Sequence, residues 1–388
     1  MASDESGYAC FTKDGFCGPV TALCWVPGPE VLLTGRGTDV LASRVAGSQQ
    51  QHLGALRIFE SGRVHGIKGR VTAGSGAGGI NQRVVIAAHS EKNITVAEFA
   101  VPDKAAASLQ CACVRAKLWE LADWVVDVQL LRGPGQTLKD VQTVVDKAAD
   151  ARTPGSAEEW GWLAAGLAHN TVEIWDWQRQ TRVHCVHCLE RPVLFTMAMH
   201  GEDGDGLVVA AGGFIREVLC WQVLGPKSGQ PVQRLKGHTG VIHCVRWRSD
   251  GRALVSGSED RSVRVWLAPN ESGAAQRVAG SSVPILLHAA TLWGHAARIW
   301  ECQITDSTIV TVSEDTSGRV YTYNQVRCVT SALLGSRKQL IRNTALESNG
   351  VDLHTPTTRC AASLVHYCTT TAVLHFCSIT ICTPFLHS

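Results

Sequence analysis

Charge is scarce in this chain of 388 residues: Asp, Glu, Lys and Arg make up 18%, and 36 basic side chains against 34 acidic ones leave a formal net charge of +2. So even a balance excludes a chain-wide surface for polyanions, though not a local basic face. Hydrophobic residues reach 45%, which suits a folded globular protein. Catalytic signatures are missing as well. No Gly-x-Ser-x-Gly elbow, Walker loop or His-Glu-x-x-His pair occurs. No acidic-plus-glycine loop stands between a strand and a helix, where a methyl donor would bind. His, Asp and Cys are plentiful but nothing clusters them, so the chain is read as non-enzymatic, with no cofactor and no resident metal. An apolar leader is also lacking, because residues 1–18 carry Asp4, Glu5, Lys13 and Asp14. Cysteine is abundant, but its fifteen residues are odd in number and scattered. In a leaderless chain this implies reduced thiols in a cytosolic or nuclear setting, of which the cytoplasmic one is expected here. Tyrosine is rare, four residues against twelve Trp, an imbalance that a repeated Trp position would explain.

What is present is a repeat, clearest at residues 235–266. Gly237-His238 opens it. Val241, His243, Val245 and Trp247 alternate with Ile242, Cys244 and Arg246, as in a two-faced strand. Arg248-Ser249-Asp250-Gly251 reads as a turn, Ala253 to Ser256 as a short apolar strand, Glu259-Asp260-Arg261-Ser262 as a second turn, and Val263, Val265 and Trp266 as a third strand. A Gly-His start and a Trp end around short strands resemble a blade of a WD40 β-propeller, here without the literal Trp-Asp pair. The resemblance implies a buried structural lock, in which Asp260 orients His238, Ser256 links to it and the Trp266 indole donates into the network. The catalytic reading of His238 and Asp260 is set aside for the structural one.

Further units follow the same rhythm. The first spans residues 19–45, with Thr21 to Trp25 as its opening strand. The second spans about 56–99, and the third 118–177, interrupted by a polar insertion at 134–154 that carries a predicted short helix at 138–149. The fourth spans about 182–223. A sixth begins at Trp293-Gly294-His295 and ends at Tyr321, placing His295, Thr311, Asp315 and Tyr321 at the four lock positions. In the third unit, His169 stands where Asp260 stands in the fifth and Ala165 replaces the serine, so its lock is expected to be partial or absent. The fold expected is all-β: six recognisable blades of an incomplete seven-bladed ring over 19–325, after a loose start at 1–18. Residues 326–388 are read as a tail outside the propeller. Residues 360–388 contain no Asp, Glu, Lys or Arg, yet His366, His375, Thr369 to Thr371 and Pro384 make a poor spanning helix. A segment foreign to the ancestral protein, from an altered splice or a retained intron, is favoured over a regulatory tail.

Two other patterns carry possible chemistry. His184-Cys185-Val186-His187-Cys188 could offer zinc two thiolates, but it also alternates as a strand, the favoured reading; Cys111-Ala112-Cys113 is a weaker version. The run GSGAGG at 74–79 has dinucleotide-loop spacing, but a β-like run follows it instead of a helix, so it reads as a loop.

The ordered set of units is similar to the N-terminal part of the WD-repeat protein six family. The residues that carry this are LLTGRGTDVL at 32–41, VHGIKGR at 64–70, LADWVVDVQLL at 121–131, LAAGLAHNTVEIWD at 163–176, SEDRSVRVW at 258–266 and GHAARIWECQI at 294–304. The His169-Asn170 pair resembles the family where a generic repeat would carry Asp. The resemblance implies a non-catalytic scaffold that binds an FtsJ-type tRNA 2'-O-methyltransferase and supports methylation of the wobble nucleotide, with tRNA reached through the complex and neither DNA nor membrane as a partner. The family's members are much longer. Six units without a seventh imply exposed strand edges and a poorly soluble isolated chain. The competing expectation is a generic WD40 adaptor in ubiquitin ligation or trafficking.

Overall fold

The computed structural model describes residues 20–46, 49–72, 82–101, 110–118, 121–133, 160–269, 276–324 and 327–334. The helix expected at 138–149, the run at 74–79, the residues at 1–18 and those from 335 to 388 lie outside this set, as do the side chains of Cys111 and Ala112.

The described residues form six antiparallel sheets of four strands, each a meander of consecutive strands. The six first strands are Val20–Val26, Gly66–Thr72, Val125–Leu131, Leu194–His200, Ile242–Trp247 and Ile299–Ile304. Each packs against the first strand of the next sheet, so they form the inner row of the propeller. The middle strands of each blade are almost wholly buried: Ala253–Ser258, for example, has no exposed residue on either face. Blades 2 to 5 are pressed from both sides, which removes the polar face that an ordinary sheet shows to water.

The blades are held by five apolar cores, each shared by a neighbouring pair. Leu33, Val40, Ile86 and Phe99 lie between blades 1 and 2. Val96, Leu130 and Leu163 lie between blades 2 and 3, and Ile174, Met197 and Trp221 between blades 3 and 4. Val218, Val245 and Leu254 join blades 4 and 5; Val255, Ile299 and Ile309 join blades 5 and 6. Among the described residues, no corresponding core joins blade 6 to blade 1.

The fourth strand of each blade is where structure and sequence reading part. Gln49–Arg57 and Gln110–Leu118 complete blades 1 and 2. Thr181–His187 completes blade 3 instead of opening the fourth unit. The propeller also passes the boundary expected at residue 325, because Arg327–Leu334 pairs antiparallel with Gly318–Asn324 as the outer strand of blade 6. These outer strands have a neighbour on one side only, so little apolar patterning marks them. Gly237 and Gly294, which precede the histidines of blades 5 and 6, have φ of 140° and 138°. L side chains rarely adopt this backbone conformation, so the position favours glycine, and the guanidinium of Arg264 or Arg319 lies close over it.

Candidate functional site

The loops that enter each first strand and the turns that follow each second strand meet at one end of their blade. In blade 5 they form a complete relay. Trp266 donates its indole N–H to Ser256 Oγ at 3.0 Å. The Ser256 hydroxyl reaches His238 Nε2 at 2.8 Å, and His238 Nδ1 lies 2.9 Å from Asp260 Oδ2. The carboxylate also accepts from the Thr239 and Ser262 backbone N–H groups at 3.0 and 2.9 Å and from the Ser262 hydroxyl at 2.6 Å. Ser256, with one proton and two lone pairs, can accept from the indole and still pair with the imidazole, so every polar atom of the relay has a partner. Burial works against the Asp260 charge, but these hydrogen bonds outweigh it and hold its carboxyl well below the usual range.

Blade 6 repeats the geometry with one change. His295 contacts Asp315 Oδ2 at 2.9 Å and Thr311 Oγ1 at 2.7 Å. Tyr321, at the Trp266 place, is buried, and its hydroxyl reaches the Trp293 carbonyl oxygen at 3.4 Å. Burial lowers the His295 pKa. It opposes the Asp315 charge, but hydrogen bonds from Ser317, the Ala296 N–H and His295 bring that carboxyl down to about 2. Hydrogen bonds thus join His238, Ser256, Asp260 and Trp266 in one cluster and His295, Thr311 and Asp315 in the other, while Tyr321 stands at the eighth position with its hydroxyl on the Trp293 carbonyl. Both histidine rings are essentially closed to solvent, with side-chain exposures of 0% and 1%. A ring so enclosed and so fully partnered holds loops together and has no access to a substrate.

Blade 3 holds a pair that the sequence reading did not find. Leu121 takes the His238 place, four residues before the first strand, and is buried. Two residues on, Asp123 Oδ2 lies 2.5 Å from His169 Nδ1 and accepts from the His169 backbone N–H at 3.1 Å. The acid and the imidazole have exchanged sides relative to blades 5 and 6. The lock expected to be partial or absent is thus an inverted, more open one, with His169 42% and Asp123 23% exposed. The signal was an Asp in the entry loop opposite a His in the turn. Asn170, held at φ 53°, has a different task. Its Oδ1 accepts the indole N–H of Trp221 in blade 4 at 3.0 Å, and its Nδ2 donates to the Glu190 carbonyl at 2.8 Å. Both side chains are fully buried. His169-Asn170 therefore fastens its own blade with the first residue and the next blade with the second.

Charged side chains also bridge neighbouring first strands. Lys68 of blade 2 lies 3.6 Å from Asp127 of blade 3, and Arg246 of blade 5 lies 2.7 Å from Glu301 of blade 6. Cys244, Glu301 and Cys302 come together with their ligand atoms within 4.8 Å of one another, a trio that the sequence does not reveal. Glu301 is already engaged by Arg246 and by the Cys302 N–H at 2.9 Å, and burial raises the Cys244 thiol pKa well above its usual value. The His184–Cys188 run is strand up to His187. Cys185 Sγ and His187 Nε2 lie 3.8 Å apart on it, and Cys188 is buried just beyond, its thiol pushed up to about 11 by burial.

Comparison with known proteins agrees with this geometry. The WD40 family (WD domain, G-beta repeat) matches residues 229–266, which include the whole blade 5 relay. The tRNA (34-2'-O)-methyltransferase regulator WDR6 of Bos taurus is 25% identical over 303 residues, 76% of this chain and 23% of the relative. Its counterpart in Mus musculus matches over the same share at 25% identity. The chain thus spans about a quarter of the length of these relatives. The Intraflagellar transport protein 122 homolog of Xenopus tropicalis is 39% identical, but over only 69 residues, 18% of this chain. With one blade matched directly, five more sheets built alike and similarity running through most of the array, the chain is a WD-repeat β-propeller protein similar to the tRNA (34-2'-O)-methyltransferase regulators.

Proposed function

We propose that this chain is a non-catalytic scaffold that binds an FtsJ-type tRNA 2'-O-methyltransferase in the cytoplasm and supports methylation of the wobble nucleotide, nucleotide 34. The observation that carries this reading is the extent of the similarity. A generic repeat match covers one or two blades, as with the intraflagellar transport relative, whereas the match to the methyltransferase regulators covers 303 residues. Interlocked blades suit the role, because a rigid array of loops can hold a partner enzyme without supplying chemistry. The His–Asp pairs of blades 5 and 6 are consumed in holding loops.

The test is affinity purification of the tagged chain from cells, with bound proteins identified by mass spectrometry and 2'-O-methylation at nucleotide 34 measured in cells that lack the endogenous regulator. Recovery of the ribose methyltransferase with restored methylation is the expected result. Recovery of ubiquitin-ligase or coat components in its place would assign the chain to the generic adaptors.

A further inference from the structure

The first strands of five blades share a β-bulge at the same place, one residue after the strand begins. The bulged residues are Thr21, Val126, Phe195, His243 and Trp300. A bulge turns its extra side chain away from the ladder. In blades 4, 5 and 6 that side chain is a ring, and the rings touch. Phe195 and His243 have centroids 5.6 Å apart, and His243 and Trp300 are 4.8 Å apart. Phe214, first in the turn after the second strand of blade 4, meets Phe195 edge-on at 4.8 Å. Phe195 and Phe214 are 47% and 62% exposed, a large apolar surface to leave in water. The core is filled without it, since Leu194 before Phe195 and Ile242 before His243 are already buried.

The turn position held by Phe214 in blade 4 is held by Glu259 in blade 5 and Glu314 in blade 6. Their side chains are 46% and 47% exposed. Arg298 lies 2.8 Å from Glu314 and 4.0 Å from Glu259, with its guanidinium 5.5 Å from the centre of the Trp300 ring. The charges acting on His243 are these three groups, two carboxylates against one guanidinium, and burial holds the His243 pKa below its usual value. Arg298 offsets one of the two carboxylate charges, so beside the line of rings these groups leave a single net negative charge, which favours a cation.

We infer that the aromatic line across blades 4 to 6 is the docking surface for the methyltransferase, and that it receives a segment in which an apolar side chain lies against Phe195 and Phe214 while a neighbouring lysine or arginine reaches Glu259 and Glu314. This rests on the function proposed above. Exposed aromatic anchors bounded by charge are the usual carriers of protein–protein binding energy, and the two carboxylates select a basic protein segment over RNA.

The experiment compares capture of the methyltransferase by the full tagged chain and by three variants: Phe195→Ser with Phe214→Ser, Glu259→Lys with Glu314→Lys, and Leu287→Ser. Leu287 is 55% exposed on the outer strand of blade 5 and serves as the control. Melting of each purified bait reports its fold, and the charge-reversed variant, altered only at exposed side chains, keeps the test valid if the serine variant unfolds. Capture should fall at least about tenfold for both surface variants and stay unchanged for the control. Wild-type capture retained by folded surface variants overturns the docking surface and leaves the scaffold function intact. Capture abolished by ribonuclease overturns it in favour of an RNA-mediated contact. Absence of the methyltransferase from the wild-type sample overturns both readings.

Discussion

Ser256 joins two groups that cannot reach one another, the Trp266 indole and the His238 ring. Ser256→Ala strands a buried donor and a buried acceptor together, so a loss of about 2–4 kcal/mol is expected in denaturant melts; a change below about 0.5 kcal/mol would remove the relay from the account of stability. Acid should weaken the fold through His89, buried at the end of the second strand of blade 2, where burial lowers its pKa to about 4. Its folded value lies below the unfolded value of about 6.5. The stabilisation is therefore complete above pH 6.5 and lost as pH falls toward 4, amounting to about 3 kcal/mol by linkage. His295 acts in the same direction, and Asp315 adds a loss only below about pH 4, as acid approaches its folded value of about 2. His89→Gln should flatten the pH dependence of the melting temperature between pH 6.5 and 4, and an unchanged slope would exclude this residue as the source.

Elements that carry a buried network were legible in the sequence, because such a network needs particular residue types at fixed places. The blade 5 strands follow the alternation around His238, and the same spacing leads to His295. Outer strands were not legible. Gln233–Leu235 has three residues, and Leu287 on another is mostly exposed; strands with solvent beyond them need no apolar pattern. The inverted pair of blade 3 was missed for a different reason: a template expects acid in the turn, whereas a hydrogen bond needs only the two groups in reach. Exchanging both residues, Asp123→His with His169→Asp, should therefore cost less than the sum of the single changes, with a coupling of about 0.5–1 kcal/mol at this exposure. Additive effects in that double-mutant cycle would deny the coupling. Asn170→Ala should be more severe, about 2–3 kcal/mol, because it leaves the buried Trp221 N–H without its acceptor and puts alanine at a left-handed backbone position.

At the scale of the molecule, most of the stability resides in the interfaces between blades, as in other repeat arrays. Among the described residues, interior blades share a core on two sides and blades 1 and 6 on one. The free faces show it: Leu23 and Trp25 of blade 1, and Val310, Val312 and Val320 of blade 6, are only partly buried, unlike their counterparts in blades 3 and 4. Amide exchange in the second strands of blades 1 and 6 should therefore be faster than in those of blades 3 and 4; uniform protection would contradict this ranking. Among the described residues, six sheets joined by five cores form a line in the topological sense, and a line has no redundancy. In a closed circle, one failed joint leaves every member still connected to every other through the opposite arc. Within the described residues there is no such arc, so a failed joint, such as the one that Asn170 and Trp221 fasten, leaves the blades on its two sides without a second shared core to link them.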